Sequence, residues 1–137
     1  MEIFKAKTIM TTDVAYVKKQ TPIYEAIGIL VEKNITGLPV VNDDMTLAGI
    51  VSEKDILTFL ANMNLLMLLD DIKKCDATVE DFMTSDVVSF DRHDSISDVC
   101  DCLTKKNFRR VPILSDGEVV GIISRRDLVR YISEPVI

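Results

Sequence analysis

The stretch GIISRRD, residues 121–127, has a near-copy in the same chain, GIVSEKD, residues 49–55. Each is led into by two short apolar runs separated by an acidic turn: GLPVV, NDD and LAGIV before the first copy, RVPIL, SDG and VVGII before the second. Short apolar runs bounded by turn residues mark buried strands, so each copy predicts a hairpin that runs directly into a helix opening at the motif's serine.

The duplication extends well beyond the motif. Residues 9–57 align with residues 82–129 at an offset of 73, falling to 72 after the turn that holds Asp43 and Asp116. Matched identities include Met10/Met83, Thr11/Thr84, Asp13/Asp86, Val14/Val87, Ile23/Ile96, Leu30/Leu103, Asn34/Asn107, Pro39/Pro112, Gly49/Gly121, Ser52/Ser124 and Asp55/Asp127. They fall on turn residues and apolar positions, where a shared fold places its constraints.

Upstream of each hairpin the two copies agree again. VAYV (14–17) and VVSF (87–90) predict short strands, and TPIYEAIGILVEKN (21–34) and DSISDVCDCLTKKN (94–107) predict amphipathic helices. Thr21 and Asp94 are the expected N-caps, with apolar stripes at Ile23, Ala26, Ile27 and Leu30 and at Ile96, Val99, Cys100 and Leu103. The fold class is therefore α/β in content, more strictly α+β: a β-α-β-β-α repeat over residues 8–60 and another over 81–133. One such unit cannot cover both faces of its small sheet, so the expectation is a pseudo-twofold pair packed through the sheets. The join, residues 61–80, lacks Gly and Pro and is rich in Leu and Met, which predicts helix to about Lys74. Phe59, Leu60, Met63, Leu66, Met67 and Leu69 are expected in the core or in a subunit contact.

Composition narrows the function. The 137 residues hold no apolar run approaching the ~20 that span a bilayer. MEIFKAKTIM lacks the basic start, apolar core and cleavage site of a secretory signal, so a cytoplasmic location is expected. Cys75, Cys100 and Cys102 are expected as reduced thiols. A net charge of −6 argues against nucleic-acid binding, yet all six arginines (Arg92, Arg109, Arg110, Arg125, Arg126, Arg130) lie in the second half. His93 is the sole histidine, and there is no glycine-rich phosphate loop or metal-spaced cluster, so the chain does not read as an enzyme.

Ser-x-x-Asp has two readings. As structure, the serine caps a helix and the aspartate completes a capping box. As function, the serine donates to a phosphate at the helix N-terminus while the carboxylate accepts from a ribose diol. Both can hold at once. KKNFRR (105–110) likewise reads either as a solvated helix end or as a phosphate contact.

Taken in tandem, the order Met-Thr-x-Asp-Val, helix, Pro between apolar residues, then Gly-Ile-x-Ser-x-x-Asp resembles a cystathionine-β-synthase (CBS) domain pair, or Bateman module, over residues 8–132. The resemblance implies a regulatory module with no obligatory cofactor, binding adenine nucleotides or S-adenosyl compounds in clefts between the repeats. It implies a favoured second-repeat site in which Val87 and Val88 hold adenine, Phe108 flanks it and Ile122 walls it. There Arg109, Arg110 and Arg126 face phosphate, Ser124 donates and Asp127 binds ribose. The first-repeat site would use Val14, Ala15, Ile35, Thr36, Ile50, Ser52, Lys54 and Asp55. With Thr36 and Gly37 standing where the second copy has Arg109 and Arg110, a nucleoside, a neutral thioether analogue or no ligand at all suits it better. The resemblance also implies a homodimer and an effector protein that reads the signal. The competing reading is a protein-interaction or dimerisation module with no small-molecule ligand.

Overall fold

The computed structural model describes residues 4–62, 69–106 and 108–133. The chain forms two compact units that do not follow the order of the repeats: a contiguous one, residues 15–87, and a composite one built from residues up to 14 together with those from 88 onward.

The contiguous unit holds β1 (Val17–Lys18), α2 (Ile23–Lys33), β2 (Gly37–Val41), β3 (Leu47–Ser52), α3 (Glu53–Asn62) and α4 (Leu69–Lys74). The composite unit holds α1 (Ala6–Ile9), β4 (Phe90–Asp91), α5 (Ile96–Lys105), β5 (Arg110–Ser115), β6 (Glu118–Ser124) and α6 (Arg125–Ser133). Each has a three-stranded sheet in the order β1-β2-β3 or β4-β5-β6. The outer short strand is parallel to the middle one, as the intervening helix requires, and the last two strands form the antiparallel hairpin. All five residues of β2 are buried, which is why GLPVV is continuously apolar rather than alternating.

The β5–β6 loop is Asp116 and Gly117, both with positive φ (53° and 83°) between the paired Ser115 and Glu118. That is the geometry of a two-residue type I′ hairpin, where Asp-Gly is favoured. The first copy bridges the same gap with a longer loop in which Asn42 donates to Thr46 and Met45 takes φ 70°. Thr46 also donates to Asp44 from its backbone and its hydroxyl, and these bonds hold the Asp44 carboxyl below its ordinary pKa.

The middle strand of each hairpin carries a proline at its centre, where a missing N–H ordinarily breaks a ladder. Here none is required. Pro39 lies opposite Ile50, whose N–H and C=O turn the other way and pair with Thr84 (2.9 and 2.8 Å). Pro112 lies opposite Ile122, which pairs in the same manner with Thr11 (3.1 and 2.9 Å). The hairpin's free edge is thus closed by the Met-Thr segment of the other repeat.

That exchange continues along the chain. In the composite unit Ala6 donates to the Asp94 carbonyl, Lys7 to that of Arg92, and Ile96 to that of Phe4. In the contiguous unit Val79 donates to Thr21, Glu80 to Lys19, and Ile23 to Ala77, the same three bonds 73 residues apart. Val79 and Phe82 accordingly belong to the core of Val17, Ile23, Ala26, Leu30, Leu38, Val40, Val51, Ile56 and Leu60. Ala6 belongs to that of Val99, Cys102, Leu103, Val111, Ile113, Ile123 and Leu128.

Several local expectations are corrected. Of VAYV and VVSF only the last residue of each enters a strand, which then takes in Lys18 or Asp91. The N-caps lie one residue later, at Pro22 and Ser95. Thr21 Oγ1 instead accepts from the Lys18 N–H and Asp94 Oδ2 from that of Asp91, so both side chains close the preceding turn. The expected stripe holds, with Val99 and Leu103 buried and Ile96 and Cys100 packed on the same core, but Cys102 is buried as well. Leu60 is buried and Phe59 stacks on Phe82 with ring centroids 5.4 Å apart. Met63, Leu66, Met67, the Leu69 side chain and Asn107 lie outside the described residues.

Candidate functional site

Both hairpins end in the same strand-to-helix corner. Gly37 pairs with Ser52 and the Glu53 N–H donates to the Thr36 carbonyl (3.0 Å); Arg110 pairs with Ser124 and the Arg125 N–H donates to the Arg109 carbonyl (3.1 Å). The strand therefore delivers its final serine to the first turn of α3 or α6 with no intervening loop.

The structural reading of Ser-x-x-Asp holds in both copies. Ser52 donates to Asp55 Oδ2 from its N–H and its Oγ (both 2.9 Å), and the Asp55 N–H donates to Ser52 Oγ (3.1 Å). Ser124 and Asp127 repeat these bonds at 2.8, 3.0 and 3.2 Å. Aspartate is short for this role, but the turn brings it within reach. All three bonds involve one carboxylate oxygen and one hydroxyl, so the second oxygen of each aspartate lies outside the box.

There the copies differ. Asp55 Oδ1 accepts from the Thr84 hydroxyl at 3.2 Å. Asp127 Oδ1 lies 4.0 Å from Arg130 Nη1, beyond hydrogen-bond reach, and the Asp127 side chain is 13% exposed. A carboxylate oxygen offers two lone pairs, so this atom can accept from a ligand hydroxyl while the other keeps the helix capped.

The remaining candidates divide as follows. In the contiguous unit Ala15, Ile35, Thr36 and Ile50 are half-buried, with Ala15 and Ile35 packed on its core, while Lys54 is exposed. In the composite unit Val88 is packed on the core and Arg110 and Ile122 are half-buried, while Phe108, Arg109 and Arg126 are exposed. Val14 and Val87 each belong to the unit that does not carry the rest of their proposed set. Arg110 is the first residue of β5, and Arg109 precedes the strand.

Two features went unread in the sequence. Met10 and Thr11 border the second corner, and Met83 and Thr84 the first, close enough that a Cβ opposite them would collide. A Cβ on Gly49 would lie 2.6 Å from the Thr84 carbonyl oxygen, and one on Gly121 would lie 2.5 Å from Met10 Sδ. The doubled Met-Thr was visible as a repeat; nothing in its spacing said which hairpin it would meet. The second feature is Arg125, whose Nε donates to the Phe108 carbonyl at 2.9 Å. Among the described residues no group of three or more His, Cys, Asp or Glu is placed to hold a metal ion, and no helix is long and apolar enough to cross a membrane.

Known proteins share this arrangement. The family model described as the CBS domain matches residues 6–62 and 79–134. Protein MJ1225 of Methanocaldococcus jannaschii is 31% identical over 126 residues, which is 92% of this chain and 42% of that protein, so the chain spans less than half of this relative. The structure of CBSX2 of Arabidopsis thaliana in complex with AMP superposes with a TM-score of 0.82 at 31% identity, covering 96% of this chain and 97% of that one. The CBS domain pair of protein MJ0100, in complex with 5′-methylthioadenosine and S-adenosyl-L-methionine, gives a TM-score of 0.75 at 27% identity, covering 96% and 98%. With both copies of the motif in place on the expected fold, the chain belongs to the CBS domain family and carries the domain twice.

Proposed function

We propose that this chain is a regulatory module that binds an adenosyl ligand, with the better site at the corner formed by Arg109, Arg110, Ser124 and Asp127. The observation that carries the reading is the outer carboxylate oxygen of Asp127, beyond hydrogen-bond reach of Arg130 and beside a helix N-terminus and several arginines. CBSX2 in complex with AMP and MJ0100 in complex with adenosyl thioether and sulfonium compounds supply the ligand class. Asp127 takes the ribose diol, Arg109, Arg110 and Arg126 take phosphate, and Val88, Phe108 and Ile122 offer apolar surface for the base. At the first corner Thr84 already donates one hydrogen bond to the equivalent oxygen and the two strand-entry arginines are absent, which favours an uncharged adenosyl ligand or none. The role is sensing rather than catalysis. A ligand acts by its different affinity for two states of the protein, read by an effector protein.

A second copy of the chain is a further proposed partner. Leu57 on α3 and Val129 on α6 stand at matched positions of the two repeats and are exposed.

The test is calorimetric titration of AMP, ADP, ATP and S-adenosylmethionine into the wild type, Asp127→Asn and Asp55→Asn, with thermal melts as the folding control. Saturable binding lost in Asp127→Asn and kept in Asp55→Asn supports the reading. Absence of binding by all four ligands overturns it and favours the interaction module.

A further inference from the structure

We infer that Arg125 is a positioning residue of the second corner, fastening the segment that carries Arg109 and Arg110 to the start of α6; its consequence for phosphate rests on the adenosyl reading above. One residue holds two successive carbonyls: the Arg125 N–H donates to Arg109 at 3.1 Å, and its Nε donates to Phe108 at 2.9 Å. The backbone half of this clamp recurs at the first corner, where the Glu53 N–H donates to Thr36. The side-chain half has no counterpart there, because a carboxylate has no N–H to offer a carbonyl.

The first corner secures the same segment by another device. Asn34 turns left-handed at the end of α2 (φ 53°), and the next residue, Ile35, donates its N–H back to the Leu30 carbonyl at 3.1 Å. Such a backbone closure fixes the exit from the helix locally. The residue matched to Asn34 in the second copy, Asn107, lies outside the described residues. The two strands then enter the sheet in the same register, Gly37 opposite Ser52 and Arg110 opposite Ser124. At the second entry the Arg125 guanidinium adds a side-chain bond to the Phe108 carbonyl.

Charge gives the difference a purpose. At the four matched positions the first corner has Thr36, Gly37, Glu53 and Lys54, for a net charge of zero (−1 and +1), whereas the second has Arg109, Arg110, Arg125 and Arg126, for +4. A planar Nε–H bonded to a carbonyl orients the segment that carries Arg109 and Arg110. A bidentate arginine contact to phosphate is sensitive to such placement, so Arg125 should govern the preference for phosphorylated over unphosphorylated ligands without touching the ribose.

AMP and adenosine are titrated into the wild type, Arg125→Ala and Arg125→Lys at one ionic strength. The alanine variant is expected to weaken AMP about tenfold and adenosine less than about twofold. Lysine, which keeps the charge but not the planar donor, should restore only a minor part of the loss. Unchanged AMP affinity in the alanine variant, full recovery with lysine, or equal loss of both ligands overturns the inference. Amide hydrogen exchange of residues 108–110 tests the clamp without ligand: at least about tenfold faster exchange in Arg125→Ala supports it, and unchanged exchange overturns it. A wild type that takes up neither ligand sinks the adenosyl reading and the phosphate role with it, while the exchange data still judge the clamp.

Discussion

Replacing Gly49 by alanine should damage the first corner more than the same change at Gly121 damages the second. A Cβ on residue 49 falls 2.6 Å from the Thr84 carbonyl oxygen, whereas carbon and carbonyl oxygen in strand contacts lie ~3.3 Å or more apart, so this oxygen must retreat by about 0.7 Å. Thr84 is held by two backbone bonds to Ile50 at 2.8 and 2.9 Å, and both lengthen with that retreat. Each contributes about 1 kcal/mol net, and forcing atoms into a packed site costs a further 1–3 kcal/mol or so. Alanine recovers about 0.4–1 kcal/mol by restricting the unfolded chain. With the two bonds weakened by about half, the balance is a loss of about 1–4 kcal/mol. At Gly121 the obstruction is the Met10 side chain, whose Sδ and Cγ can rotate away for about 1 kcal/mol, leaving only its Cβ in tight contact at 3.0 Å. Urea denaturation of both variants measures the difference. A Gly49→Ala variant as stable as wild type, or less affected than Gly121→Ala, would refute the close-approach explanation of these glycines.

Other consequences follow from single bonds. Ser124→Ala removes the hydroxyl that caps α6 and orients Asp127, and should cost about 1 kcal/mol in a thermal melt. Thr46→Val removes one of two donors to Asp44, so the carboxyl pKa should rise toward its ordinary value in a carboxyl-detected NMR titration. Because the native pKa is lowered, that interaction favours the fold at neutral pH and is lost as pH falls through it; the variant should lose the effect at a higher pH.

The repeat, the hairpins and the helix starting at each Ser-x-x-Asp were legible because apolar periodicity and turn chemistry are local. Partnership was not. Thr11 and Thr84 look alike in sequence, and periodicity reports which face of an element is buried, never which distant strand it meets. The exchange of Met-Thr segments therefore became visible only with Ile50 paired to Thr84 and Ile122 to Thr11. The caps failed for a different reason: Thr21 and Asp94 are good capping residues competed for by the turn before them. The apolar face of α5 is wider than the periodicity assigned, taking in Cys102 as well as Cys100. At the candidate site, the arginines at 109 and 110 could be picked out by type, but the work of Arg125 could not, since it depends on a carbonyl 17 residues away.

The most direct test of the central claim is competition between AMP and its 2′,3′-dideoxy analogue for the wild-type chain, followed by calorimetry. If Asp127 holds the ribose diol, removing both hydroxyls should weaken binding by about tenfold or more, because the carboxylate loses its partners. Equal affinity of the two compounds would contradict the assignment of Asp127 and, with it, the account of why the chain writes Ser-x-x-Asp twice.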